Sequence, residues 1–291
     1  MQDALPDKDD TLLKAVTGLE GGCVASGSTC GIVTGGALGI AQAYACAPTG
    51  AEYNQMAALH AAGEYANWFR NRYGTTQCGE RHGVDFHTVY GQLRYFLSIP
   101  KILKCFSQAG HAINHLTFRT HRSPSPAESH WPSSGNSGDR HCASEVLRKV
   151  REKTGVGNDR LESLAHVYDG GTGLTGNLCG AVIGGVLALN LVHGLNPRQT
   201  GYLSVFNLFL VGHINLLTKR PLNKADTFFM GKQLVTTFRR NLGALECRRI
   251  TDASFPDWNS FQNHLQASAV CSRAIELSAG LASEFIGKRP S

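Results

Sequence analysis

The chain has 291 residues, 42% of them apolar and 17% charged, with a formal net charge of +6. That length bounds it to one or two domains. Its cations are scattered without interleaved aromatics, which argues against nucleic-acid binding. The amino end lacks a basic stretch followed by an apolar run, so a soluble, cytoplasmic protein is expected. The two most apolar windows, residues 179–195 and 202–217, are interrupted by His, Asn or Gly. They read as buried core helices, not membrane spans.

In chain order, residues 11–19 predict a short amphipathic helix leading into the glycine-rich stretch Gly21-Gly22-Cys23-Val24-Ala25-Ser26-Gly27-Ser28-Thr29-Cys30. Small and apolar residues from Cys30 to about Ala45 predict a buried helix, broken at Pro48-Thr49-Gly50. A long helix over 51–73 stops at Gly74, and 89–116 reads as one or two helices around Pro100. Residues 119–141 are rich in Pro, Ser, Gly and His without any period, and read as a linker. Beyond it, 142–151 and 158–167 predict amphipathic helices. A second glycine-rich stretch, Gly170-Gly171-Thr172-Gly173-Leu174-Thr175-Gly176, leads to Cys179 and an apolar helix. Residues 197–232 read as an insertion. A helix then closes on Gly243 just before Cys247, and 261–286 predicts one final long helix carrying Cys271. No alternating β pattern stands out, so the predicted fold class is all-α.

The two halves align. Cys30-Gly31 matches Cys179-Gly180, and Gly35-Gly36 matches Gly184-Gly185. Phe69, Arg70, Gly74 and Cys78 match Phe238, Arg239, Gly243 and Cys247 at a constant offset, and Phe86 then matches Phe255. Cys105 pairs with Cys271. These agreements predict an internal duplication into two pseudo-symmetric helical cysteine modules. The first, 1–118, is shortened at its amino end; the linker 119–141 joins it to a complete second module, 142–291.

Nine cysteines are present and no two lie three apart. The missing CxxC excludes thioredoxin-like motifs, zinc ribbons and covalent c-type haem attachment. The cysteines sort into two groups of four. The second is Cys142, Cys179, Cys247 and Cys271. The first is Cys23, Cys30, Cys78 and Cys105, with Cys23 standing in for the missing counterpart of Cys142 across a flexible 24–29 segment. Cys46 is left over. Each group is expected to converge on one point. Four thiolates beside glycine turns and helix ends suit an iron–sulfur cluster. Structural zinc would use the same ligands, a disulfide relay is open to them, and buried cysteines also serve as small hydrophobes. Cys179, at a helix start, is a place where the dipole favours the thiolate. His111 and His115 lie four apart on a predicted helix, a spacing that suits either a metal or a hydrogen-bonded pair. His82 and His87 flank a loop, and His141 stands beside Cys142 where it can tune or replace a ligand. Glu246 and Arg248, flanking Cys247, read as solvated charges.

The order Cys142-Ala143, a glycine turn with Cys179-Gly180, Gly243-Ala244-Leu245-Glu246-Cys247, then Cys271 in the closing helix resembles the C_GCAxxG_C_C family of redox-active proteins, which four spaced cysteines define. A similar domain accompanies haem motifs in the split-Soret cytochromes. The resemblance covers the whole second half and, less completely, about 11–115. It departs at His141 and Val146, where the family has glycine, and the first half lacks the Gly-Cys-Ala segment. The resemblance implies redox activity and an iron–sulfur cluster. The expected function is therefore electron transfer or redox chemistry at one or two cysteine-ligated centres, as an oxidoreductase or electron-transfer subunit. The competing readings are a non-catalytic structural or assembly subunit with inert or zinc-bound cysteines, and a thiol–disulfide relay. An acidic electron-carrier protein or a larger redox complex is the expected partner for the basic surface, with no nucleic acid and no membrane span. A homo-oligomer fits the same reading.

Overall fold

The computed structural model describes residues 8–46, 55–86, 88–120, 138–196, 198–201 and 227–288, with six further residues between 204 and 215. The break at Pro48-Thr49-Gly50, His87, most of the linker and most of the 197–232 insertion lie outside the described residues. Among the described residues there are thirteen α-helices and no strand beyond two isolated bridges. The first half contains α1 (Asp10–Ala15), α2 (Gly31–Ala45), α3 (Gln55–Tyr73), α4 (Cys78–His82), α5 (Val89–Phe96) and α6 (Ile99–Thr120). The second contains α7 (Cys142–Thr154), α8 (Asp159–Leu164), α9 (Gly180–His193), α10 (Thr227–Leu242), α11 (Cys247–Thr251), α12 (Trp258–Ala267) and α13 (Ala269–Gly287). Helices α8 to α13 repeat α1 to α6 in order, and among the described residues none corresponds to α7. The all-α duplication read from the sequence is the observed architecture. The single helix expected over 261–286 is instead two: Ser268 is extended, and its hydroxyl accepts from the Cys271 N–H at 3.3 Å to cap α13.

The glycine-rich stretches are the most closely repeated part. In each half the backbone stays left-handed for five residues. The φ angles are 60°, 81°, 68°, 53° and 49° from Gly21 to Ala25, and 58°, 79°, 64°, 63° and 61° from Gly170 to Leu174. A residue with a Cβ pays roughly 1–2 kcal/mol for that conformation, so Cys23, Val24 and Ala25 need fixed partners. Backbone bonds supply them at equivalent places. Val24 N–H donates to Gly18 at 2.7 Å as Gly173 does to Val167 at 2.9 Å, and Gly27 donates to Gly21 at 3.0 Å as Gly176 does to Gly170 at 2.8 Å. The segment after Cys23 is thus a defined turn, not the flexible link expected.

Each turn packs on the other half. Gly63 of α3 lies against Gly173, and Gly231 of α10 lies against Val24. Helix α1 packs on α9, while α8 and the 3-10 turn Ala165–Tyr168 pack on α2 and α3. Asn190 donates to the Ala15 carbonyl at 2.8 Å, and Tyr168 donates to the Thr34 carbonyl at 3.0 Å. One core of buried apolar side chains consequently runs through both halves. Helix α9 is buried from Gly180 to Asn190 because α7, α13, α10 and α1 surround it. A methyl at Gly184 would strike Ala143 and Val146 of α7, whereas nothing lies within 4 Å of one at the equivalent Gly35. Among the described residues nothing takes the place of α7 there, and that face of α2 borders an apolar cavity of about 290 Å³, lined by residues such as Leu12, Ile32, Ala112 and Leu116.

Candidate functional site

The two isolated bridges, Thr29 with Gln77 and Leu178 with Glu246, are what set the cysteines in place. Cys30 N–H donates to the Thr76 carbonyl and Cys78 N–H to the Ser28 carbonyl, both at 2.8 Å. The same pair of bonds links Cys179 to Leu245 at 2.8 Å and Cys247 to Asn177 at 2.7 Å. Cys30 and Cys179 therefore occupy N-caps, and Cys78 and Cys247 open short helices. Bonds across the halves lock the bridges together: Thr76 donates to Asn177 at 2.7 Å and Ser28 donates to Glu246 at 2.6 Å. Glu246 is thus a structural acceptor, not the solvated charge expected.

In the second group, every cysteine sits at the amino end of a helix: Cys142 of α7, Cys179 of α9, Cys247 of α11 and Cys271 of α13. All four are buried free thiols. Burial pushes Cys142 and Cys247 well above the ordinary thiol range, and the neighbouring cysteines push them further. Cys179 is pushed up to about 12, against the pull of the Ala181 and Val182 N–H groups, and Cys271 also rises. The thiolate expected at Cys179 from the helix dipole is therefore not favoured, because desolvation without a fixed cation outweighs it. The buried Asp169 fixes the approach of α7. Its carboxylate accepts from the Cys142 N–H at 2.8 Å and pairs with His141 Nδ1 at 2.7 Å. That partner raises the His141 pKa against its own burial. His141 and His166 also line a polar cavity of about 510 Å³ beside this group, together with Arg140, Glu145 and Glu162.

The first group differs. Cys78 lies beside Cys30, and the Arg81 guanidinium donates to Cys30 Sγ at 3.1 Å. Both lower the Cys30 pKa, and the shared proton raises that of Cys78. Cys105, half-buried on α6, feels the charges of Cys30 and Arg81 and takes a hydrogen bond from Tyr95. Cys23 is not brought to this group. It lies fully buried inside the left-handed turn, where desolvation and Glu20 push it up to about 12, and Thr172 is its counterpart. Arg81 touches the first group through Cys30. Cys46 is half-buried at the end of α2.

The paired histidines of α6 serve packing: His115 stacks on Trp68 at 3.9 Å, and His111 meets the Tyr73 hydroxyl at 3.4 Å. His82 is buried beside Arg81. Arg81 and Asp169 escaped the sequence reading. Arg81 lies one helical turn beyond Cys78, a spacing that places both on one face; Asp169 directly precedes the glycine turn.

Among the described residues no three His, Cys, Asp or Glu side chains are placed to hold a metal ion. What the second group offers is donor chemistry: four buried free thiols, the soft ligands that an iron–sulfur cluster takes. A bound metal's charge is what converts such thiols to thiolates. In the first group a guanidinium, that of Arg81, lies against the Cys30 sulfur.

A duplicated all-α fold that gathers free cysteines at helix amino ends defines a cysteine-centred protein. The chain belongs to the C_GCAxxG_C_C family, described as "Putative redox-active protein (C_GCAxxG_C_C)", whose model matches residues 1–114 and again 140–285. No curated protein and no solved structure matches it. Among the described residues no helix is long and apolar enough to cross a membrane.

Proposed function

We propose that the protein is a redox protein whose second group, Cys142, Cys179, Cys247 and Cys271, holds an iron–sulfur cluster and exchanges electrons with an acidic carrier protein. The observation behind this reading is the burial of four mutually interacting thiols at four helix amino ends. Helix amino ends favour the negative charge of a thiolate-ligated centre. A bound cluster would supply one-electron transfer. Asp169 and His141 hold the α7 end of the group, and the apolar helix α9 excludes water from the other side. Family membership supports redox activity.

The test is anaerobic purification followed by reconstitution with ferrous iron and sulfide. Iron and acid-labile sulfide should bind, with broad visible absorption, and be lost in Cys142→Ser and Cys247→Ser but kept in Cys46→Ser. A colourless chain that takes up zinc instead would favour a structural or assembly subunit. A chain that takes up neither metal would sink the ligand assignment.

A further inference from the structure

Arg81 has no counterpart in the second half, where Ile250 holds the equivalent place in α11. Its residue is only 6% exposed, and its guanidinium lies 5.1 Å from the Phe69 ring centroid. Nη2 donates to Cys30 and meets His82 Nε2 at 3.2 Å, while Nε and Nη1 are buried without partners. A guanidinium does not lose its proton in a protein, so a buried one requires an anion. No carboxylate among the described residues pairs with it, and the group in contact is the Cys30 sulfur. The surroundings add cations, not anions: Lys104 donates to the Arg81 carbonyl at 3.2 Å, and Lys101 donates to the His82 carbonyl. The nearby anionic candidates are the sulfurs of Cys78 and Cys105, and Glu20, which acts on Cys105. Cys78 neighbours Cys30, and Tyr95 neighbours Cys105. A single guanidinium in contact with Cys30 favours one thiolate in the pair, at Cys30.

We propose that Cys30 and Cys78 form a dithiol–disulfide redox pair acting on a small-molecule disulfide, with Arg81 holding Cys30 as the attacking thiolate and Cys78 as the resolving thiol. The Cys30 thiolate attacks one sulfur of the substrate R–S–S–R, forming a mixed disulfide and releasing one R–S⁻. The Cys78 thiol gives up its proton, which leaves on the second R–SH, and its sulfur attacks Cys30 to close the Cys30–Cys78 disulfide. Two electrons pass to the substrate, which becomes one thiol and one thiolate that takes a proton from water, and the pair is oxidised. A dithiol reductant of the medium reverses the step. The neighbouring cavity, of about 260 Å³, is lined by Gln77 and Gly79 on either side of Cys78 but by neither thiol, and both thiols are buried, so a small disulfide reaches them only as that wall opens. The inference extends the redox reading and does not depend on a cluster at Cys142, Cys179, Cys247 and Cys271.

The test uses the full chain, anaerobically reduced, with bis(2-hydroxyethyl) disulfide as the probe, read by alkylation and peptide mass spectrometry. The wild type should yield a Cys30–Cys78 disulfide, and Cys78→Ser should stop at a Cys30 mixed disulfide with the probe. Peptide-resolved iodoacetamide labelling should show Cys30 titrating below the ordinary thiol value of about 8.5. Arg81→Met should raise that midpoint and slow oxidation at pH 7 by about tenfold or more, with Arg81→Lys restoring part of both. Circular dichroism of each variant checks that it is folded. A Cys30 midpoint at the ordinary value, a disulfide joining other cysteines, or unchanged oxidation in a folded Arg81→Met overturns the proposal. Iron content of the same preparations reports separately on the second group.

Discussion

Replacing Gly173 with alanine tests the crossing of the two halves at its tightest point. A methyl there would overlap the backbone nitrogen and α-carbon of Gly63, and would lie 2.8 Å from the Leu59 carbonyl. Backbone cannot rotate out of the way as a side chain can. The residue also sits at φ 63°, which adds about 1–2 kcal/mol for a residue with a Cβ. Overpacking of this kind costs about 1–3 kcal/mol, so the substitution should destabilise by about 2–5 kcal/mol in total. For a chain of this size that is a fall in Tm of about 4–10 °C, at about 2 °C per kcal/mol. Thermal and urea unfolding should be followed by circular dichroism and by tryptophan fluorescence in chains keeping only Trp68 of α3 or only Trp258 of α12. Because Gly173 belongs to the second half and Gly63 to the first, both probes should shift together. A shift confined to Trp258, or a change in Tm below about 2 °C, would refute the intertwined architecture.

The remaining predictions concern glycine packing and pH. Gly184→Ala should destabilise by about 2–4 kcal/mol, since its methyl would meet the Ala143 backbone of α7. Gly35→Ala, at the equivalent position with open space, should be neutral or stabilising by up to about 1 kcal/mol through helix propensity; equal effects in urea titrations would mean that the first half is not open there. Burial, with Arg81, Lys104 and Lys101 around it, pushes the His82 pKa down to about 4. The unfolded chain then takes up the proton first as the pH falls. Stability present above about pH 6.5 should be lost towards pH 4, by up to about 3 kcal/mol. His82→Gln should flatten that acid limb, and an unchanged pH profile would show that His82 is not its source.

Much of this architecture was legible because the duplication repeats its signals. Paired glycines after Cys30 and Cys179, and glycine stops before Cys78 and Cys247, locate the helix starts that carry the cysteines. The helix break at Ser268 was missed because apolar residues continue on both sides of it, and the deciding event is one side-chain cap. The left-handed geometry at Cys23, Val24 and Ala25 runs against their intrinsic preferences. It is imposed by bonds to Gly18 and Glu20 and by packing on α10, none of which leaves a local mark. Cys23 misled for the same reason, since its spacing from Cys30 says nothing of a thiol turned into the core. The exchange of α1 and α8 between halves is likewise invisible in a sequence, where both read as ordinary amphipathic helices before a turn.

The repeat gives the two centres one backbone and leaves their chemistry to a single neighbouring group. Around Cys179 and Cys247 that group is Cys142, an uncharged thiol, and Ile250 offers no cation from α11. Removing a thiolate's solvation without replacing it keeps the whole set protonated, so charge must come from outside, as a metal ion would bring it. Around Cys30 and Cys78 the neighbour is Arg81, a permanent cation 3.1 Å from sulfur. One fixed positive charge can hold one thiolate, and a second would be left uncompensated, so the proton that remains settles on Cys78. The same pair of bridge hydrogen bonds thus sets buried free thiols in one half and a pair of thiols beside a fixed guanidinium in the other. An arginine one helical turn beyond Cys78, where the second half has Ile250, changes what the sulfurs of the first half can do.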